Sequence, residues 1–192
     1  LYFLHLFKGR AYRMRLNIII LLVATLMACA EPIIEEPDYQ YPLQEPVQLV
    51  SPAGVSSAQP HLSISHDDQV LLSWIEPMES QDALKFSILN DSNWVESRTL
   101  ASGENWFVNW ADFPSVTPIN DDLWAAHWLV TQEDGYGYDA VISTSKDSGS
   151  SWSEPSLLHL DGTPTEHGFV TLFPLRTGIG AVWLDGRNFI QD

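Results

Sequence analysis

The stretch that decides the fold is Ser145-Lys-Asp-Ser-Gly-Ser-Ser-Trp152. A strand-like run, 139–144, precedes it and another, 156–160, follows it, so the segment between them is predicted to be a tight hairpin turn. Asp147 can accept hydrogen bonds from the turn's own backbone N–H groups, and Gly149 can take a positive φ at no steric cost.

The spacing S-x-D-x-G-x-x-W, carried by Ser145, Asp147, Gly149 and Trp152, resembles the Asp box (BNR repeat) of sialidase-like β-propellers. An ordinary Asp/Gly hairpin is the alternative, but here Ser, Asp, Gly and Trp all fall in place. In propellers of this type the box is a structural turn in which Trp152 would fold back as an apolar plug. The resemblance therefore implies a fold and says little about chemistry.

An internal repeat supports this interpretation. Residues 60–74 and 114–128 both open with Pro, carry an Asp-Asp pair in the same register and close with Trp. Residues 169–183 keep the closing Trp, so that tryptophans recur at steps of 54 and 55 residues. Because Trp74, Trp128 and Trp183 recur in register, we predict them to be core residues.

Each repeat is predicted to hold four strands, A to D, with a polar turn between A and B and the Asp box between C and D. A repeated four-stranded unit of about 50 residues is typical of a propeller blade. Blade one is expected over 58–101 and blade two over 112–160, while blade three begins at 167 and stops after strand B. The fold class is therefore all-β, a partial β-propeller of the sialidase type over 46–192, with about three blades. The resemblance implies about six blades in all, and hence a fragment.

The N-terminal region is predicted to be a targeting segment rather than part of a folded domain. Residues 1–29 have the form of a leader and lipoprotein-type signal peptide, with an apolar run at 18–26 that is too short to span a bilayer as a mature helix. The ending Leu-Met-Ala-Cys resembles a bacterial lipobox, in which Cys29 would carry the lipid and anchor the chain to a membrane. A plain signal, or a core helix with a chance cysteine, is the alternative. Residues 30–45 form an acidic, Pro-rich linker.

The charge of the chain excludes several classes of function. The formal net charge is −16 from 25 acidic and 9 basic residues, and every acidic residue follows Cys29. Nucleic-acid backbones need basic patches, so DNA and RNA are not expected partners. The balance fits an exported domain whose copies repel one another. Together with the lipobox-like ending, it leads us to expect a protein that is lipid-anchored to the bacterial envelope, in the outer membrane, periplasm or cell surface. Eight tryptophans favour either sugar-stacking platforms or core packing. Histidines without ligand spacing indicate no metal site, and no cofactor motif is present.

Strand alternation sorts the loops between two faces. The A–B and C–D turns share one face, and the B–C loops and D–A links share the other, where sialidase-like folds keep their active site. Loops on a rigid scaffold commonly carry function. The predicted catalytic residues on this face are Asp82, Asp185 and Arg187; the predicted glycan-binding residues are Trp106, Trp110, Asp112, Tyr136, Glu166 and His167. For Arg187 and Asp185 a local ion pair on a surface turn is the alternative, and Trp106 and Trp110 could equally pack inward.

The resemblance to sialidases implies an arginine triad on the substrate carboxylate and a Tyr nucleophile with a partner carboxylate. The Arg-Ile-Pro signature is absent, because the first strand A begins Gln59-Pro60-His61. We therefore expect an exported sialidase-like (exo-alpha-sialidase/glycoside hydrolase superfamily) propeller that acts on or binds cell-surface or environmental glycans. The alternative is a non-catalytic propeller that serves as a protein-interaction scaffold in the envelope.

Overall fold

A computed structural model describes residues 45–132 and 137–189. The described part is all-β apart from one short 3-10 helix, and it holds no helix with the length and apolarity needed to cross a membrane. The strands are β1 (Ala58–Ile64), β2 (Val70–Pro77), β3 (Asp82–Asn90), β4 (Asn93–Trp94), β5 (Arg98–Gly103), β6 (Ser115–Pro118), β7 (Trp124–Thr131), β8 (Tyr138–Ser145), β9 (Ser156–Leu157), β10 (His167–Leu175) and β11 (Gly178–Asp185), followed by the 3-10 helix η1 (Gly186–Phe189). The leader, the linker up to 44 and Cys29 lie outside the described residues.

The strands form three antiparallel sheets that follow one another along the chain. In the first sheet the order is β1-β2-β3, and both β4 and β5 pair with β3; in the second it is β6-β7-β8-β9; in the third β10 pairs with β11. These sheets are blades one, two and three of a partial β-propeller. The fourth strand of blade two is shorter than the predicted run 156–160: Ser156 and Leu157 pair with β8, and Leu158 adds one hydrogen bond from its N–H to the Ala140 carbonyl.

The predicted repeat is confirmed by the strand register. In blade one Leu62 lies opposite Leu72, and in blade two Val116 lies opposite Ala126, each partner being displaced by 54 residues. The tight turn 176–177 joins β10 to β11 in the same antiparallel sense. Residues 60–74 and 114–128 therefore occupy equivalent positions in successive blades.

The core lies between neighbouring blades. One cluster joins Leu71 and Phe86 of blade one to Trp124 and Trp128 of blade two. A second cluster joins blade two to Leu172 of blade three. Face-to-face packing of adjacent sheets removes apolar side chains from water and fixes the angle between blades.

The repeated tryptophans differ in burial. Trp74 and Trp128 are buried as predicted, whereas Trp183 is only half-buried, so its assignment to the core was wrong. The reason is that no strand beyond β11 pairs with it among the described residues.

The turn at 145–152 is held by its own side chains. Ser145 Oγ accepts a hydrogen bond from the N–H of Gly149 (2.8 Å), and Asp147 Oδ1 accepts one from the N–H of Ser151 (2.8 Å). The Ser151 hydroxyl and this N–H lower the pKa of Asp147 to about 2, so its carboxylate stays charged. Trp152 reaches back to the ring of Phe86 in blade one, with centroids 6.2 Å apart and an edge-to-face angle of 75°. The turn thus joins two blades as well as two strands.

Hydrogen bonds between loops confirm the sorting of the two faces. On one face the hydroxyl of Ser148, in the C–D turn of blade two, donates to the carbonyl of Asp121 in the A–B turn. On the other face the N–H of Gly186 donates to the carbonyl of Glu166, so a B–C loop meets a D–A link. We call the second face, which carries the B–C loops and D–A links, the loop face.

Candidate functional site

A groove of about 180 Å³ opens on the loop face between blades two and three. Its lining residues are Tyr138, Glu166, Gly168, Phe169, Leu184, Asp185, Gly186 and Phe189. It combines aromatic and aliphatic walls with two carboxylates and lies where the sequence predicted a ligand. The groove contains the predicted residues Glu166 and Asp185, which come from the D–A link before β10 and the end of β11.

Tyr138 forms the floor of the groove. It is buried at the start of β8, and its ring stacks on Phe107 with centroids 4.0 Å apart and planes within 7°. Burial first, and then the negative charges of Asp112 and Glu166, raise its pKa to about 12. A phenol with a raised pKa stays neutral at pH 7, whereas a tyrosine nucleophile needs its phenolate stabilised. Tyr138 is therefore suited to packing and hydrogen bonding rather than to attack on a substrate.

Asp112 lies in the link between blades one and two and holds this link against blade three. Asn109 accepts the N–H groups of Ala111 and Asp112 in an Asx turn, and its side-chain amide donates to Asp112 Oδ2. Asp112 Oδ1 accepts the N–H of Phe169 at 2.5 Å, at a bulge of β10 where Phe169 has a φ of 53°. Asp112 is buried and fully engaged, so it positions the groove wall rather than contacting a ligand directly.

The two loop tryptophans point to different environments. Trp110 lies within the turn that Asp112 holds, and it is 88% exposed. Trp106 instead stacks on Trp128, with centroids 5.2 Å apart, and packs against the main core. The adjoining cavity has a volume of about 10 Å³, enough for one water and too small for a sugar ring. Of the two, only Trp110 is free to stack on a ligand.

Asp82 lies apart from this groove. Asp82 opens β3 in blade one, and it pairs with Pro77 of β2 and Gly103 of β5. It does not line the groove. Tyr136 lies outside the described residues.

Arg187 and Asp185 form the close pair that the spacing suggested. The Arg187 Nε donates to Asp185 Oδ1 (2.8 Å), its Nη2 donates to Asp185 Oδ2, and the same nitrogen lies 2.8 Å from Asp161 Oδ2. The guanidinium lowers the pKa of the Asp185 carboxyl well below its usual range. Hydrogen bonds from the Thr163 hydroxyl and N–H do the same for the pKa of Asp161, with His167 contributing less. Arg187 is thus already paired with two carboxylates.

Next to this pair lies a cluster of two histidines and two aspartates, of which the sequence singled out only His167, as a glycan-binding residue; the structure places His167 fully buried, without a surface to offer a glycan. His159 and His167 stack with ring centroids 3.5 Å apart and planes within 9°, and both are buried. Asp139 lies at one edge of the stacked rings and Asp161 at the other. Spacing along the chain gave no signal, because the link 158–166 has to bend back before His159 meets His167. The available hint was that His159 lies in this link, two residues before Asp161, and that His167 follows directly after it.

Comparisons with known proteins find similarity at the level of structure alone. No protein-family profile matches the chain, and no curated protein is significantly similar to it. Solved structures do match, among them a Hadza microbial sialidase, Hz136, with 16% sequence identity and a TM-score of 0.41. The match covers 62% of this chain and 29% of the sialidase, so the matched part spans less than a third of that protein's length. The blade assignment therefore depends on the sheet order, register and turn of this chain itself.

Proposed function

We propose that these blades belong to an exported, sialidase-like propeller that binds glycans, or acts on them, through the groove on the loop face. The observation that carries the proposal is the groove itself, in which aromatic and aliphatic walls meet the carboxylates of Glu166 and Asp185. Sugars present apolar C–H faces and hydroxyl groups. Aromatic rings pack on the former, and carboxylates accept hydrogen bonds from the latter.

The charge of the groove favours a neutral, hydroxyl-rich glycan over an acidic one. A sialoside carboxylate needs a free guanidinium, and the described residues contain three arginines. Arg98 lies over the Phe86 ring, Arg176 lies in the turn on the opposite face, and Arg187 is held by two aspartates. Together with the raised pKa of Tyr138, this favours recognition over sialidase-type hydrolysis by these blades.

The proposal is tested by presenting the purified chain to an array of neutral and sialylated glycans, followed by calorimetry on the best ligand. Glu166→Gln removes one charge from the groove and should weaken binding about tenfold, since hydrogen bonds to charged groups are worth about 1.5–3 kcal/mol. Glu154→Gln is the matched control, because Glu154 is exposed in the turn between β8 and β9 on the other face. If no glycan binds, or if both variants weaken binding equally, the groove is not the site.

A catalytic role has its own assay. The full-length gene product would be incubated with chromogenic glycosides, including a sialoside, and sugar release would be measured for the parent and for Asp185→Asn. Release that is lost in Asp185→Asn, with its circular dichroism unchanged, would make this groove an active site. Release that is insensitive to this change would place catalysis elsewhere.

A second candidate, the envelope scaffold, is favoured by the exposed apolar side chains of the groove. Leu184 is 64% exposed and Phe189 is 84% exposed. Large apolar side chains in a concave surface are typical of protein-binding sites. A photo-crosslinking amino acid at position 189 would capture a protein neighbour in intact cells. If crosslinking to this neighbour is lost in Leu184→Ser but retained in Glu166→Gln, the scaffold hypothesis is favoured over the glycan-binding hypothesis.

We propose in the same way that the chain is exported and lipid-anchored at Cys29, as the lipobox-like ending of residues 26–29 indicates. Metabolic labelling with a radioactive fatty acid should label the parent protein and leave Cys29→Ser unlabelled and in the soluble fraction. Equal labelling of both proteins would exclude Cys29 as the anchor.

A further inference from the structure

The stacked histidines raise a hydrogen-bonding problem. His159 Nε2 lies 3.4 Å from Asp139 Oδ1, and its Nδ1 lies 3.5 Å from Asp161 Oδ2. In His167 the Nδ1 faces the Thr165 carbonyl (3.2 Å) and Asp139, while Nε2 faces Asp161 Oδ2 (3.1 Å). All four ring nitrogens therefore face oxygen acceptors, but a neutral imidazole has only one N–H to donate.

Protonating both rings does not solve the problem. Two imidazolium cations stacked at 3.5 Å would repel each other strongly in a buried site. His159 is 5% exposed, and within the described residues neither of its nitrogens has a hydrogen-bond partner. A buried polar ring without partners is costly, so a native structure needs a reason to keep one.

The charges around the rings point to a missing cation. Asp139, Asp161 and Asp185 supply three negative charges, and Arg187 supplies one positive charge. The cluster therefore carries two net negative charges, which a divalent cation would neutralise. Arg187 already bridges Asp161 and Asp185, so the end of the cluster at Asp139 is the one that lacks a cation.

We propose that Asp139, His159 and His167 bind a divalent transition-metal ion, zinc in the first place, between blades two and three. The ligand atoms are Asp139 Oδ1, His159 Nε2 and His167 Nδ1, which all lie within 4.8 Å of one another. The carboxylate oxygen lies 3.4 Å and 3.8 Å from the two nitrogens. Two ligands of a tetrahedral zinc at its usual bond lengths are about 3.3–3.5 Å apart.

The donor set selects the metal. Two imidazoles and one carboxylate suit zinc and its neighbours, whereas calcium and magnesium prefer sites built from oxygen ligands. Because the rings stack in parallel, their in-plane lone pairs run parallel as well, and both rings have to rotate out of the stack before these lone pairs converge on one ion. This rotation exchanges ring stacking, and the contact between His167 and Thr165, for two metal–nitrogen bonds.

The groups behind the ligands have the arrangement expected of a metal site. Asp161 faces the far nitrogen of each ring, and a carboxylate in that position fixes the tautomer that leaves the other nitrogen free for metal. The side-chain amide of Gln132 donates to Asp139 Oδ1 at 2.6 Å and orients that carboxylate. The ligands come from β8, from the link after β9 and from β10, so the ion would fasten blade two to blade three.

The test uses the full chain carrying Cys29→Ser, because the single thiolate of the sequence would otherwise bind zinc itself. The metal-free protein is titrated with Co²⁺ while visible absorption is recorded, and Zn²⁺ is then added. One Co²⁺ per chain, with the intense bands of four-coordinate cobalt that Zn²⁺ bleaches, is the expected result. Absence of binding below about 100 µM of either ion overturns the proposal, as does equal competition by Ca²⁺ or Mg²⁺.

Two variants locate the site independently. Asp139→Asn and His159→Asn each remove one ligand and should weaken zinc binding by at least about 100-fold, while zinc should raise the melting temperature of the parent but not of Asp139→Asn. His66→Asn is the matched control, because His66 is an exposed histidine on the other face, beside Asp121. If Asp139→Asn, which preserves side-chain shape, binds zinc as tightly as His66→Asn does, the proposed site is wrong. All of these measurements are made without glycan, so they do not depend on the proposed function.

Discussion

Replacing Gly149 with alanine tests how the turn at 145–152 connects two blades. Gly149 has a φ of 76°, a conformation that alanine adopts only with strain. A Cβ at this position would lie 2.9 Å from two ring carbons of Trp124 and 3.1 Å from Cζ of Phe86. Both rings belong to the core between blades one and two, so neither can move aside freely.

The magnitude follows from these two effects. Left-handed backbone costs an L-residue about 1–2 kcal/mol. Forcing a methyl group against packed rings adds about 1–3 kcal/mol. The free energy of unfolding should therefore fall by about 2–5 kcal/mol. For a domain of this size, about 3 kcal/mol corresponds to a loss of about 6–12 °C in melting temperature.

Gly162→Ala supplies the matched control for urea and thermal unfolding. Gly162 has a φ of 66°, and a Cβ there would meet nothing within 4 Å. The free energy of unfolding of this variant should therefore fall only by the backbone contribution of about 1–2 kcal/mol. Equal destabilisation of the two variants would refute the claim that the turn packs against the neighbouring blade.

Three further predictions concern polar groups that are buried or partly buried. Burial lowers the pKa of His127 to about 3, so the unfolded state binds more protons than the folded state below pH 6.5. The free energy of unfolding, measured by urea titration, should therefore fall as the pH is lowered from 6.5 towards 3. In His127→Gln this dependence on pH should be weaker. The Lys85 ammonium lowers the pKa of Glu76 to about 2. The pair therefore stabilises the fold above pH 4.5, and this stabilisation is lost as the pH falls towards 2. Acid unfolding that is the same in Lys85→Gln as in the parent would contradict this. Asp112→Ala leaves the N–H of Phe169 without its acceptor and should cost about 1–3 kcal/mol, together with faster exchange of that amide measured by NMR.

The blade pattern was predictable because its signals are local. The closing tryptophans and the hairpin at 145–152 depend on side-chain alternation and turn chemistry within about 15 residues, and these are legible in a sequence. The division of the loops between two faces followed from strand alternation alone. Trp183 was the exception, because its burial depends on the strands that surround it rather than on its place in the repeat.

The candidate sites were less predictable, because they depend on which loops meet. Trp106 and Trp110 are four residues apart and equally aromatic, but only the folded link directs one onto Trp128 and the other into solvent. In the same way, Arg187 and Asp185 are neighbours in sequence, whereas the contact of Arg187 with Asp161 spans two loops.

The sequence by itself determined the strands, the turn chemistry and the repeat, because each is specified by neighbours along the chain. Tertiary structure alone decided that His159, His167 and Asp139 lie together between two blades. Their proximity depends on how the link 158–166 bends and on the angle at which the sheets pack. Residue spacing carries no information about either quantity, since both are set by the side chains that fill the space between blades.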